Sequence, residues 1–325
     1  MRKYFILLLT GAALLTGCSS ETMANSDSFP VKTIEVVAPA TPGGGWDMTA
    51  RSSQRALNAS GEVDQDITVV NKPGGGGEVG WQYLMQQDSH FAALNSSLLI
   101  TGELLGQTEL TYEDFTPLAM LSTEWLAIAT RADSDFDNAI EVMDQLKEDP
   151  ESLVIGVSPS LGSGNHLSFV QAVVEYGIDP TELQFLVYSS GGDIMNALLG
   201  GHIDLTSNSL SDLIEQHDAD EIDILAITAP ERLDSIPDIP TWTEQGVDVV
   251  FPHWRGIMGP PDMTDTEIAA WDDMLSEMVK TEEWQNDLDI NDLEDFYMDS
   301  EESLQFLHEQ HDFFEEIVKD SGLAQ

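Results

Sequence analysis

Twice near the start of this chain, a short apolar run ends in a glycine-rich elbow and gives way at once to helical spacing. The first unit runs from Thr33–Val37 ("TIEVV") into Ala38–Asp47 ("APATPGGGWD"). The second runs from Asp66–Val70 ("DITVV") into Asn71–Trp81 ("NKPGGGGEVGW"). A strand that turns on glycines into a helix commits a chain to βα units, and so to α/β layers with mostly parallel sheets. Glycine also lets the backbone turn with no Cβ in the way, so that N–H groups at the helix start can point at an anion. Two such elbows in close succession predict one pocket for a small anion, held largely by main-chain donors.

The alternation continues. Strand spacing is found at Ile67–Asn71, Phe91–Asn95, Trp125–Thr130, Leu153–Ser158, Gln184–Tyr188, Ile203–Ser207 and Ile222–Thr228, after a first strand at Thr33–Ala38. Helical spacing falls between these at Asp47–Asn58, Glu78–Gln87, Asp137–Glu148, His166–Tyr176, Asp193–Leu199 and Leu210–His217. From Asp265 to Asp320 the pattern is helical, and Thr264 is placed to cap the first helix of that stretch. Breaks after Thr130 and around Val249–Pro261 divide the chain into a discontinuous first lobe, residues 32–130 plus 251–325, and a second lobe, 131–250. Two lobes joined by two crossings make a hinge with a cleft between them, a common place for a small-molecule site.

The N-terminus reads as an export signal. Arg2 and Lys3 precede an apolar stretch, Tyr4–Leu15, that is too short to span a bilayer. "LTGC" follows and resembles a lipoprotein lipobox, in which Cys18 becomes the lipidated first residue of the mature chain. Residues 1–17 are then a signal peptide and 18–31 a linker, and the protein is expected outside the cytoplasm, tethered to a cell membrane by lipid alone. Cys18 is the only cysteine, so no intrachain disulfide forms. Acidic residues number 59 against 12 basic, a formal net charge of −47. That field repels nucleic acid and anionic lipid surfaces. With 42% hydrophobic residues the chain still carries a core, so the acids read as a salt-adapted surface rather than a disordered tail. They are spread along the chain rather than clustered, which speaks against a divalent-cation site.

Six motifs occur in order: "APATPGGGWDMTAR" from Ala38, "NKPGGGGEVGW" from Asn71, "TRADS" from Thr130, "VIGVSPSLGS" from Val154, "SSGGDIMNALLGGHID" from Ser189 and "HWRGIMGPP" from His253. Together they resemble the extracytoplasmic receptors of tripartite tricarboxylate transporters, the TctC-like branch of the Bug receptor family, over about residues 32–323. The resemblance implies a two-lobed periplasmic-binding-protein (Venus-flytrap) fold that closes on a carboxylate. It also implies delivery to a permease of one large and one small membrane subunit, no catalysis, no cofactor and no metal. We expect a monomer.

The resemblance further implies that one ligand carboxylate is held by the first elbow and its neighbour, through Ala40, Thr41, Gly43, Gly44, Trp46, Asp47 and the run Gly74, Gly75, Gly76 and Gly77. From the second lobe it brings in Ser160, Gly162 and Ser163 of the Ser158–His166 loop, Gly191, Gly192 and Asp193 after Ser189, and Ser207 with Asn208. A di- or tricarboxylate such as citrate also favours a cation. Arg255 in the second crossing could bind a carboxylate bidentately or form an ion pair at the hinge. Lys72 could reach the ligand or lie on the surface. Arg51 stands four residues after Asp47 and pairs with it along the helix. Asp47 caps that helix, or reads a ligand amine or bridging water. Trp81 reads as packing; Trp46 either packs or walls the pocket.

Rival chemistries fit poorly. "GGGEVG" satisfies a dinucleotide fingerprint, but no acid closes the next strand and Pro73 disturbs the turn. "HEQH" at His308–His311 lacks zinc spacing, the acids from Asp287 lack a calcium-loop glycine, and no G-x-S-x-G is present. A receptor that hands its ligand-bound form to a sensor kinase remains compatible with the same residues.

Overall fold

The computed structural model describes residues 29–323; Cys18 and the signal peptide lie outside these. The chain begins β1 (Ile34–Ala38), α1 (Gly45–Ser60), β2 (Ile67–Asn71), α2 (Glu78–Leu84), β3 (Phe91–Asn95) and α3 (Leu98–Leu104). β4 (Thr116–Arg131) then crosses to a second βα series: α4 (Ala139–Glu148), β5 (Val154–Val157), α5 (Gly164–Glu175), β6 (Gln184–Val187), α6 (Gly191–Leu199), β7 (Leu205–Ser209), α7 (Ile214–Asp218) and β8 (Ile222–Ile227). β9 (Pro252–Gly259) returns to the first sheet. There follow α8 (Asp265–Met278), α9 (Glu282–Ile290), β10 (Glu294–Met298) and α10 (Ser300–Asp320).

Two sheets result, sharing β4. The first has the order β2-β1-β3-β9-β4-β10, the second β8-β4-β7-β5-β6. This is the two-lobed periplasmic-binding-protein fold. The βα units pair in parallel, β1 with β2 and β3, and β5 with β6 and β7. The crossing strands add antiparallel ladders, because the chain leaves the first lobe on β4 and comes back on β9: β9 pairs antiparallel with β3 and β4, and β4 with β7, β8 and β10. Each lobe is therefore parallel where helices connect its strands and antiparallel along its seam with the other. The exchange between sheets falls inside β4, where Trp125 still pairs with β9 and Leu126 already pairs with β7.

Three apolar cores hold this frame. One lies under α1, α8 and α9 and includes Ile34, Leu57, Trp271 and Trp284. Another packs α6 and β8 through Ile194, Leu198 and Ile222. The largest runs through both lobes, from Val37 and Trp81 to Leu126, Phe169 and Leu205, and is closed by Phe314 and Ile317 of α10. α10 rests on this shared core through Phe251, Trp254 and their aromatic neighbours Phe306, Phe313 and Phe314.

The terminal stretch expected to be wholly helical contains one strand. Residues Glu294–Met298 pair antiparallel with β4 on the side opposite β9, where the ladder satisfies their backbone better than an isolated helical turn would.

A polar cleft at the strand crossing

The ladder between β4 and β9 sets Glu124 opposite His253 and Ser122 opposite Arg255. Period-two alternation puts all four side chains on one face of the crossing. Glu124 is 1% exposed and Arg255 5%. The Arg255 guanidinium donates to Glu124 Oε1. Ser209 Oγ donates to the same oxygen and Ser211 Oγ to Oε2, each at 3.0 Å. A buried carboxylate needs such partners, and this one is fully supplied.

Three helices start against this cluster, and each starts with glycine. An ideal Cβ on Gly45 of α1 would lie 2.8 Å from Arg255 Nη2. One on Gly164 of α5 would collide with the His253 imidazole, and one on Gly191 of α6 with the Asp212 carboxylate. At each of the three positions a polar side chain already occupies the space that a Cβ would take. The helix ends differ in what they leave free. Ser163 caps α5 by accepting from the His166 N–H, and Ser190 caps α6 by accepting from the Asp193 N–H. α1, 16 residues long, has Gly44 at its cap position and no side-chain cap. Its first N–H groups therefore remain available to an outside anion.

Burial shifts the titrations of this cluster. It drives the His253 imidazole down to about 4; Glu124 opposes the shift and Arg255 adds to it, so the ring is neutral at ordinary pH. Burial raises the Asp212 carboxyl to about 6, and Glu124 raises it further, against the pull of Arg255 and of the nearby Asn208 amide. Asp212 keeps much of its surface exposed, so water moderates this effect.

The two elbows meet through their tryptophans. The rings of Trp46 and Trp81 pack edge-on at 5.6 Å, and a Cβ on Gly77 would lie 2.8 Å from Trp81 and 3.1 Å from Trp46. Trp81, 1% exposed, donates Nε1 to the Leu94 carbonyl at 2.9 Å. Gly74, Gly75, Gly76 and Gly77 all have positive φ, a run only glycine sustains. In the first elbow, Gly44 N–H donates to the Thr41 carbonyl, while Asn71 Nδ2 donates to the Ala40 carbonyl. Asp47 is a clip: Gly43 N–H (2.9 Å), Asn71 Nδ2 (2.8 Å) and Arg51 Nε (3.0 Å) all donate to it. Burial pushes its carboxyl up, but the bonds from Arg51, Gly43 and Asn71 outweigh that and hold it below the usual range.

From the second lobe, Ser160 Oγ lies 3.8 Å from where a Gly76 Cβ would be, which brings the second elbow to the Ser158–His166 loop. Gly162 is tied on both sides. Thr101 Oγ1 of α3 donates to its carbonyl at 2.7 Å, and its N–H donates to His166 Nδ1 at 3.0 Å. Ser207 and Asn208 are buried at the end of β7; Ser207 Oγ meets Ser168 Oγ, and Asn208 Oδ1 accepts from Asn165 Nδ2 at 3.0 Å. Gly191 joins the cluster through Asp212, and Gly192 lines a groove beside it. Asp193 is exposed and bonded to Ser190. Lys72 lies 4.1 Å over the Tyr83 ring, and Arg55 pairs with Asp287 of α9. Ser160 Oγ, Asn165 Oδ1, Asn208 Nδ2 and His253 Nδ1, all near this cluster, are among the buried side-chain atoms without a protein partner. A separate void under α9, lined in part by Arg255 and Trp284, measures about 10 Å³ and admits no organic acid.

Sequence reasoning passed over Glu124, Asn165, Asp212, His253, Gly45 and Gly164. Two signals were there. Glu124 is a lone acid inside the otherwise uncharged run Thr116–Thr130, and "HWR" alternates His253 and Arg255 onto one face.

The model of the tripartite tricarboxylate transporter family receptor, TctC, matches residues 50–323. The chain belongs to the tripartite tricarboxylate transporter receptor family. By family it is a transporter receptor, and that family is not one of enzymes. The receptor is 27% identical over 252 residues to Protein BugT of Bordetella pertussis, covering 75% of each chain. Among solved structures it superposes on MatC from Rhodopseudomonas palustris with bound malate (TM-score 0.77, 20% identity, 89% of this chain and 100% of that one). It also superposes on R. palustris Rpa4515 with adipate (TM-score 0.81, 21% identity, 91% and 99%). At these identities the structures speak for the fold.

Proposed function

We propose that this receptor captures a small di- or tricarboxylate, citrate-like in class, in the cleft between its lobes and delivers it to a permease of one large and one small membrane subunit. One ligand carboxylate sits at the start of α1, on the N–H groups that Gly44 leaves uncapped, with Arg255 beside it. The observation that carries this reading is the contrast between helix ends: serines cap α5 and α6, and nothing caps α1. The malate and adipate named for the two structural neighbours are of the same chemical class. Closure of the lobes buries the ligand, and differential affinity for the closed form supplies the free energy of closing. Lipid on Cys18 keeps the receptor, as a monomer, near its permease. The dense negative charge suits a salty medium, where screening shortens its reach to about 3 Å at molar ionic strength.

A thermal-shift screen over mono-, di- and tricarboxylates in molar salt tests the proposal. A ligand at a hundredfold excess over its Kd stabilises the folded state by about 2.7 kcal/mol, a readily measured rise in melting temperature. If no carboxylate raises it, the proposal fails.

A further inference from the structure

Beside the buried Glu124–Arg255 cluster, the second βα series holds a further carboxylate of its own. Asp212 closes the short 3-10 turn Leu210–Asp212 after β7, and its carboxylate lies against Gly191, the first residue of α6, which is 9 residues long. Asn208, 0% exposed, aims its amide at the same place. Its Nδ2 is 2.9 Å from where a Gly191 Cβ would stand and has no partner at full hydrogen-bond geometry, while its Oδ1 is fixed by Asn165. A helix N-terminus plus a buried amide donor is a receptacle for an anion. In this chain the protein's own anion stands in it.

The groups around Asp212 do not balance that charge. β4 contributes the buried carboxylate of Glu124, bonded to Arg255, Ser209 and Ser211. β9 contributes Arg255, already committed to Glu124, and His253, neutral. α6 contributes Asp193, turned to Ser190, and α7 contributes Glu215, which shares a groove of about 430 Å³ with Asp212. A second ionised ligand carboxylate reaching this end would meet several carboxylates and one occupied guanidinium. Two carboxylates forced together hold one proton between them.

Given a carboxylate held at α1, as proposed above, we infer that Asp212 determines specificity at the other end of the ligand: the group bound there is a hydrogen-bond donor, whether hydroxyl, ammonium, amide or protonated carboxyl. A ligand whose second carboxylate is ionised in solution enters with uptake of one proton.

Calorimetric titration of the folded receptor in molar salt with three matched ligands tests this: succinate, its half-amide succinamate, and 4-aminobutyrate. Run at pH 5.5, 6.5 and 7.5 in buffers of different ionisation enthalpy, it also counts protons. At pH 7.5 the wild type should bind succinamate or 4-aminobutyrate at least about tenfold more tightly than succinate, the equivalent of one pKa unit. Succinate alone should bind with uptake of one proton and weaken about tenfold from pH 6.5 to 7.5. Asp212→Asn should remove both the preference and the proton. If succinate binds the wild type most tightly at pH 7.5 with no proton taken up, or if Asp212→Asn leaves ratio and pH dependence unchanged, the inference is wrong and the carboxylate reading stands. If Asp212→Asn does not fold, the wild-type ratio and proton count decide. If none of these ligands nor any acid of the wider panel binds, the carboxylate reading fails and the inference falls with it.

Discussion

Glu124 and Arg255 form the one ion pair among the described residues whose two side chains are both buried, and they form it across the two strands that pass between the lobes. Their side chains therefore sit beside the point where β4 passes from one sheet to the other. Removing one partner should leave the other buried and uncompensated. Glu124→Ala is expected to lower unfolding stability by about 3–5 kcal/mol, read as a shift in the urea midpoint. Replacing both by apolar residues should cost markedly less. A loss under about 1 kcal/mol for the single change would contradict this account of the pair.

Gly44 and Gly45 are neighbours with opposite expected phenotypes. Gly44 has extended backbone, φ −78 and ψ 164, and a Cβ there meets the Thr41 carbonyl at 3.4 Å and the Ala40 Cβ at 3.6 Å, neither a clash. Gly44→Val should fold with a stability change of about 1 kcal/mol or less, yet cover the N–H groups of α1 and weaken carboxylate binding by at least about tenfold. Gly45→Val should instead destabilise the fold, because its side chain would displace Arg255. Calorimetric titration beside thermal melts separates the two effects.

His166 anchors the Ser158–His166 loop as a neutral acceptor. Burial alone lowers its titration to about 4, from 6.5 in the unfolded chain. Because the folded value is the lower one, the unfolded chain binds more protons between these two values, and this group's contribution falls as the pH drops through that window. The loss attributable to His166 should approach about 3 kcal/mol near pH 4. The acidic surface titrates over part of the same range, so the test is a difference: the stability of His166→Gln relative to wild type should improve on going from pH 7 to pH 4.5. A constant difference would count against a buried neutral imidazole.

Thr101 reaches across the cleft from α3 to the Gly162 carbonyl, and Gln107 Nε2 reaches the Leu161 carbonyl at 3.2 Å. Thr101→Val keeps the shape and leaves that carbonyl without its partner, at a cost of about 1–3 kcal/mol. We expect lower affinity and a larger radius of gyration in solution scattering for this variant. An unchanged radius and affinity would show that the bridge does not hold the lobes together.

How much of this was readable beforehand follows the distance over which the physics acts. β2 and β3 have the limits that their apolar runs mark, and the Asp47–Arg51 pair follows from helical spacing. β4 is far longer than the Trp125–Thr130 segment that its pattern announces, because Pro117 and the polar triplet Ser122, Thr123 and Glu124 interrupt the apolar signal. Those same polar residues are what the cleft needs. α3 left no mark as a helix, and β10 is an edge strand hidden among acids that borrows its pairing from β4. The site itself was half legible. Glycine elbows are local and visible. That Gly45, Gly164 and Gly191 each face a polar side chain distant in sequence is a fact of tertiary assembly, and no spacing rule carries it.

The most direct test of the central claim is a crystal structure of the receptor with the carboxylate that most raises its melting temperature. The account predicts one ligand carboxylate within hydrogen-bonding distance of the main-chain N–H groups that open α1, between the two elbows and beside Arg255. A ligand lodged away from the strand crossing, or held only by side chains with those N–H groups turned to the protein interior, would contradict it.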